Sequence, residues 1–178
     1  MSEALENGIY LAQNKIAGKL RRSIDAVLKD YPEAVILPLS SSSGGNAVAA
    51  VKPKLTGGQI TYANDLRSAL EIASDSRPII FVDDNAASGV QSSAQLFAYA
   101  QIPRSKWPPS LRKETGLFEI RLTETELRKW KQTPFAVAVA IGHSAASERL
   151  RASAGTLELE HFLGLHYDQE IGALEWAP

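Results

Sequence analysis

Two adjacent carboxylates, Asp83 and Asp84, directly follow the apolar run 79–82 (IIFV). The next residues, 85–89 (NAASG), form a small loop that ends in glycine, and a helical pattern begins at Val90. The free N–H groups of such a loop and the positive end of the following helix bind anions. Carboxylates repel a bare phosphate, so we expect them to face hydroxyl groups or the hydration shell of Mg²⁺. The simpler alternative is that the acids only cap the helix or solvate the end of a sheet.

A second candidate anion loop is the serine and glycine run 40–46 (SSSSGGN), which follows the apolar run 34–39 (AVILPL). Between a buried strand and a helix, such a run can surround an oxyanion with backbone N–H and hydroxyl donors. A flexible connector is the alternative. Two cations, Lys52 and Lys54, follow in a glycine-containing segment at 52–58, which we expect to be mobile.

Two further residues have both a chemical and a structural interpretation. His143 follows the apolar run 135–141 and would lie at the same edge of a parallel sheet as the acids, but a role as a turn residue is favoured. Trp107 lies in the proline-rich segment 102–116 and could stack on a base. An anchor that packs a long loop onto the core is the favoured interpretation.

The elements that position these residues follow from the periodicity of the sequence. Runs that are apolar throughout indicate strands buried on both faces of a parallel sheet, and alternating runs indicate half-exposed strands. The predicted strands are 34–39, 59–63, 79–82, 117–122, 135–141 and an edge strand at 156–162. The first two predicted helices are 3–29 (with a break near Gly18) and 64–74, which is capped by Asn64. Three more run from Val90 to before Pro103, from the capping box 123–126 to about 131, and from the turn at 142–144 to 152.

This succession of elements predicts an α/β protein with a three-layer, Rossmann-like architecture and a mainly parallel central sheet. We expect a single domain over residues 1–178, with an N-terminal helical segment at 1–31 and an α/β core at 32–178. In such a fold the loops that follow the strands converge at one edge, where ligands bind. The serine loop, the acid pair and His143 would therefore meet.

Composition excludes several functions. The formal net charge of −1 gives no electrostatic reason to expect nucleic acid or a membrane surface as the main partner. The chain has no cysteine, which excludes disulfides, thiolate nucleophiles and cysteine zinc sites. We find neither a secretion signal nor an apolar run of membrane length, and expect a cytoplasmic protein. The basic run 19–22 (KLRR) is interpreted as a solvated helix face, with a partner surface as the alternative.

The stretch 79–91 (IIFVDDNAASGVQ) resembles the signature of type I phosphoribosyltransferases: an apolar strand, two acids, a small loop and a glycine. It is most similar to a variant group linked to bacterial conflict and defence systems, with the pattern FVDD-x-x-G-T/S-G-x-Q. The positions that match are Phe81, Val82, Asp83, Asp84, Ser88, Gly89 and Gln91. Ala87 departs from this pattern, which has Gly there, and Gln91 departs from the classical family, which usually has Thr or Ser there.

The resemblance implies a phosphoribosyltransferase-like fold that binds 5-phosphoribosyl-1-pyrophosphate with Mg²⁺. Asp83 and Asp84 would hydrogen-bond the ribose 2′ and 3′ hydroxyls and meet the metal only indirectly, through those hydroxyls or water. The 5′-phosphate would be held by the turn made of Ala86, Ala87, Ser88, Gly89, Val90 and Gln91. The pyrophosphate would be held by Ser41, Ser42, Ser43, Gly44, Gly45 and Asn46, with Lys52 or Lys54 closing over it.

The implied reaction is displacement at the ribose anomeric carbon through an oxocarbenium-like state. A module of a defence system that senses a nucleotide without turning it over is the alternative. Two kinds of protein partner are compatible with the resemblance: a second copy of the chain, or another protein of a defence system. A receiver-type phospho-acceptor domain also binds Mg²⁺ with an acid pair, but it carries that pair on its first strand.

Overall fold

The strands and helices of this chain alternate, and the computed structural model describes them over residues 13–41, 43–55, 60–86 and 88–170. The strands are β1 (Ala34–Pro38), β2 (Ile60–Tyr62), β3 (Ile79–Ala86), β4 (Phe135–Gly142) and β5 (Phe162–Glu170). The α-helices are α1 (Gln13–Leu28), α2 (Ser43–Val51), α3 (Leu66–Ile72), α4 (Val90–Tyr99), α5 (Glu124–Gln132) and α6 (Ser144–Thr156). Short 3₁₀ helices lie at Lys52–Lys54, Arg104–Lys106 and Pro109–Leu111.

The five strands form one parallel sheet in the order β2-β1-β3-β4-β5. Successive residues of a strand face opposite sides of the sheet, and here both sides are covered. Val35, Phe81 and Val137 belong to the core formed with α3, α4, α5 and α6. Ile36 and Ile80 belong to the core formed with α1 and α2. The predicted three-layer α/β sandwich with a parallel sheet is confirmed.

The strand order creates a reversal between β1 and β3. The chain leaves β1 towards α2 on one face of the sheet and leaves β3 towards α4 on the other face. Parallel α/β sheets bind ligands in the crevice that opens at this kind of reversal. Pairing of β1 with β3 ends at Pro38 and Val82, whereas β3 continues to Ala86 beside β4. The last residues of β3 therefore line the crevice.

The proline-rich connection between α4 and α5 differs from the sequence prediction. Residues 117–122 were predicted as a strand, but they have no strand partner in the described chain. Their backbone is bound instead by side chains of α4 and of the turn that follows it. The Gln95 amide donates to Phe118 O at 3.0 Å and accepts from Phe118 N–H at 2.8 Å, and Gln101 donates to Leu122 O at 3.0 Å. The alternating apolar residues are explained by packing on the core, not by pairing in a sheet.

The predicted edge strand at 156–162 is also wrong. Helix α6 continues to Thr156, and the following turn buries Leu157 and Leu159. The edge strand is β5, which begins only at Phe162. The alternation of leucine and glutamate in this segment imitates a half-exposed strand.

The N-terminal helix was predicted from residue 3, and residues 1–12 lie outside the described chain. From Gln13 the helix runs to Leu28 without the predicted break at Gly18. The basic run within it is tied to the edge strand: Arg22 holds Asp168 with two hydrogen bonds of 2.6 and 2.8 Å, and Lys19 donates to Gln169. Arg21 and Arg22 are exposed, as expected for a solvated helix face, and Lys19 and Arg22 also connect α1 to β5. Among the described helices, none has the length and apolarity needed to span a membrane.

Candidate functional site

The acid pair lies inside β3, whose pairing with β4 carries it beyond both carboxylates to Ala86. On the other side β1 has already ended, so the pair faces the loop between β1 and α2. Asp83 is only 3% exposed, and Asp84 is half-buried. The two adjacent acids therefore have different environments, one enclosed by protein and one open to the crevice.

The Asp83 carboxylate is hydrogen-bonded to the start of α2. Its Oδ1 accepts from Ser43 Oγ at 2.5 Å and from the Asp84 N–H at 2.9 Å. Ser43 Oγ also lies 3.0 Å from Ser40 Oγ, which accepts the Gly44 N–H at 2.9 Å. This chain of hydrogen bonds joins the acid pair to the serine loop.

Burial raises the pKa of Asp83 from 3.8 to about 6, and the neighbouring charge of Asp84 acts in the same direction. The hydrogen bonds from Ser43 and the Asp84 N–H lower the pKa of Asp83 but only partly offset burial. The carboxyl group is thus ionised at neutral pH at an energetic cost. The ionised carboxylate is an acceptor for hydroxyl groups, and the hydroxyl it binds in the folded protein is that of Ser43.

The serine loop approaches the strand ends closely because Gly44 lacks a side chain. A Cβ atom at this position would lie 2.9 Å from Leu39 N and 3.0 Å from Val82 O, which are both backbone atoms. This contact brings the first turn of α2 over the crevice, where its N–H groups and positive dipole face outward. Gly45 and Asn46 are exposed in the same turn, and Ser42 lies outside the described residues.

The loop between β3 and α4 borders a pocket of about 240 Å³. Its walls are Asn85, Ala86, Ser88, Gly89, Val90, Gln91, Ser92 and Glu114. Gly89 has a φ of +69°, and a Cβ there would lie 3.0 Å from the backbone of Ala146, so a larger residue would be strained. Ala87, which we predicted as part of the same cradle, lies outside the described residues.

Most of the residues predicted to hold phosphates thus meet at one edge of the sheet, but Lys52 does not. Lys52 Nζ lies over the Tyr62 ring, 4.9 Å from its centroid, at the far end of α2. The nine residues of that helix separate it from the serine loop by roughly 13 Å. Lys54 belongs to the same 3₁₀ turn as Lys52. Residues 56–59, the rest of the predicted closing segment, lie outside the described chain.

The two residues with alternative interpretations both have structural roles. His143 is the N-cap of α6, and its Nδ1 accepts the Ala145 N–H at 3.0 Å. Trp107 is 4% exposed, its Nε1 donates to Ile102 O at 2.6 Å, and Arg104 stacks on its ring. It anchors the proline-rich loop, as favoured from the sequence. A cleft of about 500 Å³ beside it is larger than the pocket at Gly89, but its walls contain no strand-end loop.

Two residues at the site, Glu114 and Gly116, lie outside the segments predicted to bind ligand, and Ser40 of the predicted anion loop has a structural role. Ser40 is buried and connects Gly44 to Ser43, although it begins the serine run. Gly116 accepts hydrogen bonds from Ser41, and Glu114 lines the pocket at Gly89. Nothing in the sequence marks Glu114, because its approach to the pocket depends on how the loop after Trp107 folds back.

Within the described residues, no group of three or more histidines and carboxylates could hold a metal by itself. Mg²⁺, however, is commonly bound by one or two carboxylates together with phosphate oxygens of a ligand. Of the two adjacent carboxylates, the half-buried Asp84 has the exposure that this arrangement needs, whereas Asp83 is enclosed by protein. No family model matches the chain, and no curated protein or solved structure is significantly similar to it.

Proposed function

We propose that the crevice between β1 and β3 binds 5-phosphoribosyl-1-pyrophosphate, or a related phosphorylated ribose or nucleotide, together with Mg²⁺. The observation that carries this proposal is the hydrogen bond from Ser43 to Asp83. It joins the acid pair to the serine loop at the start of α2, and the pocket at residues 85–92 begins at Asn85, directly after the pair. A diol flanked by phosphates at both ends has the complementary chemistry.

Each part of such a ligand has a counterpart in the crevice. The ribose hydroxyls would donate to Asp83 and Asp84, of which Asp84 is the more accessible. The pyrophosphate would bind the N–H groups and serine hydroxyls at the start of α2, and the 5′-phosphate would bind in the pocket at residues 88–91. The sequence resemblance of residues 79–91 to type I phosphoribosyltransferases supports the same assignment.

Mg²⁺ would enter with the ligand and be held mainly by pyrophosphate and ribose oxygens, with the two carboxylates acting through the ribose hydroxyls or water. When bound, the metal neutralises charge on the leaving pyrophosphate. The chain's own contribution is to hold the pyrophosphate at the dipole of α2, hold the diol at β3 and exclude water from the anomeric carbon. The reaction would be displacement of pyrophosphate at that carbon.

A second candidate function is a module that senses the ligand without turning it over. It is favoured by the position of Lys52, which contacts Tyr62 and not the serine loop. The release of pyrophosphate distinguishes the two functions. An enzyme would release pyrophosphate when an acceptor base is supplied, whereas a sensing module would be stabilised against thermal unfolding by the ligand and release none over hours.

Isothermal titration calorimetry with 5-phosphoribosyl-1-pyrophosphate, with and without Mg²⁺, tests the proposal. We expect Mg²⁺-dependent binding that falls by about 100-fold or more in the double variant Asp83→Asn with Asp84→Asn. Hydrogen bonds to charged groups contribute about 1.5–3 kcal/mol each, and about 1.4 kcal/mol is a tenfold change in affinity. Unchanged binding in this variant would refute the assignment of the acids.

The matched control is Asp30→Asn with Asp75→Asn. It removes the same charge from exposed residues in the turns that precede β1 and β3, at the opposite edge of the sheet. This control should bind like the wild type. Charges at the opposite edge of the sheet lie farther from the ligand than the Debye length, which is about 8 Å at physiological ionic strength, so salt screens them. A loss of affinity equal to that of the acid-pair variant would attribute the effect to net charge alone.

A further inference from the structure

One segment of the proline-rich loop crosses the candidate site, and we name it the strap (residues 112–116). At one end, Arg112 Nε donates to Trp107 O at 2.8 Å. At the other end, Gly116 O accepts from Ser41 Oγ at 2.7 Å and from the Ser41 N–H at 3.3 Å. Both donors of Ser41 are therefore directed to the strap, although the proposed function requires them for pyrophosphate.

Glu114, two residues before this contact, lines the pocket formed by the loop between β3 and α4. Its backbone is held in place on both sides. The Glu114 N–H donates to Leu111 O at 3.2 Å, and its carbonyl accepts from the Arg104 guanidinium. The side chain is half-buried. The strap thus places Glu114 in the wall of the pocket that would hold a phosphate.

These two contacts have the same consequence for anionic ligands. A phosphate in the pocket would be repelled by the Glu114 carboxylate, because like charges at short range disfavour one another. A pyrophosphate at the serine loop would compete with Gly116 O for the donors of Ser41. In this arrangement of the strap, one short segment obstructs both anion sites.

We propose that Glu114 determines the ligand specificity of the pocket between β3 and α4, and that the strap makes phosphate binding there depend on pyrophosphate binding at the serine loop. This inference rests on the proposed function. Pyrophosphate oxygens replace Gly116 O as the acceptor of the Ser41 hydrogen bonds, which frees the Gly116 end of the strap and lets the Glu114 side chain turn out of the pocket while its backbone contacts with Leu111 and Arg104 remain. A ligand with phosphates at both ends is then preferred over either fragment.

The inference predicts reciprocal coupling between two separate fragments, ribose 5-phosphate and pyrophosphate. In calorimetric titrations with Mg²⁺, saturating pyrophosphate should tighten the binding of ribose 5-phosphate by about tenfold or more. That factor lies within the 5–150-fold range typical of coupled sites. Ribose 5-phosphate should tighten the binding of pyrophosphate by the same factor, because binding linkage is reciprocal.

Glu114→Gln removes the charge and keeps the size of the side chain. In this variant ribose 5-phosphate alone should bind about tenfold more tightly than it does to the wild type, and the coupling factor should approach one. Glu119→Gln is the matched control, since Glu119 is an exposed carboxylate in the same loop that borders the cleft at Trp107. It should retain the coupling of the wild type.

Two results would overturn the inference, and they are distinguishable. If the fragments bind independently and Glu114→Gln changes neither affinity, the strap has no role in specificity and the proposed function stands. If neither the fragments nor 5-phosphoribosyl-1-pyrophosphate binds to the wild type or to Glu114→Gln, the proposed function fails together with the inference.

Discussion

Replacement of Asp83 by asparagine should stabilise the folded protein at neutral pH. The fold encloses this carboxylate, which raises its pKa from 3.8 to about 6. A carboxyl group whose pKa is higher in the folded than in the unfolded chain stabilises the fold only while it is protonated. The stabilisation that the protonated Asp83 gives to the fold is complete below pH 3.8 and is lost as the pH rises to about 6.

The magnitude follows from the size of the shift. At about 1.4 kcal/mol per pKa unit, the ionised Asp83 destabilises the fold by about 3 kcal/mol at pH 7.5. At pH 4.5 the same relation gives a destabilisation of about 1 kcal/mol. Ionisation then stabilises the unfolded chain, whereas Asp83 stays protonated in the folded protein. The amide oxygen of asparagine can still accept from Ser43 and from the Asp84 N–H, so the local hydrogen bonds are retained.

Urea unfolding of the wild type and Asp83→Asn at pH 4.5 and pH 7.5 tests this reasoning. The variant's advantage in free energy of unfolding should increase by about 2 kcal/mol between the two pH values. Asp75→Asn, a change at an exposed turn residue, should alter stability by less than about 0.5 kcal/mol at both. A variant that is less stable than the wild type at pH 7.5, or a difference that does not change with pH, would refute the account of Asp83.

Two further substitutions separate packing from binding. Gly44→Ala should lower the free energy of unfolding by about 1–3 kcal/mol in urea titrations, because the added Cβ meets the backbone at Leu39 and Val82. The same change should weaken pyrophosphate binding. A variant as stable as the wild type would show that α2 tolerates the displacement. His143→Ala should lower stability by about 1 kcal/mol through loss of the cap to Ala145, with recovery in His143→Asn and unchanged ligand affinity in calorimetry. Weaker ligand binding in both His143 variants would instead assign that residue a contact with the ligand.

The central strands could be predicted from the sequence because they have few alternatives. The runs that became β1, β3 and β4 are apolar throughout, and only a sheet covered on both faces buries them completely. The order of strands and helices then places the loops that follow them at one edge. The acid pair, the serine loop and the glycine loop were located on that basis alone.

The features that could not be predicted depend on contacts between distant segments. Asp83 is buried because Gly44 lets α2 approach the end of β3, and Glu114 is held at the pocket by backbone contacts with Leu111 and Arg104. Residues 117–122 alternate like a strand, but Gln95 satisfies the backbone there with its side chain. The local sequence pattern predicts which residues are buried, but it does not predict which distant segment of the chain covers them.

The most direct test of the proposed function is a crystal structure of the protein with 5-phosphoribosyl-1-pyrophosphate and Mg²⁺. The account predicts ribose hydroxyls within about 3 Å of Asp83 and Asp84. It also predicts the pyrophosphate at the start of α2 and the 5′-phosphate in the pocket at Gly89, with Glu114 displaced. A ligand bound in the cleft at Trp107, or bound in the crevice with its hydroxyls turned away from the acids, would contradict it.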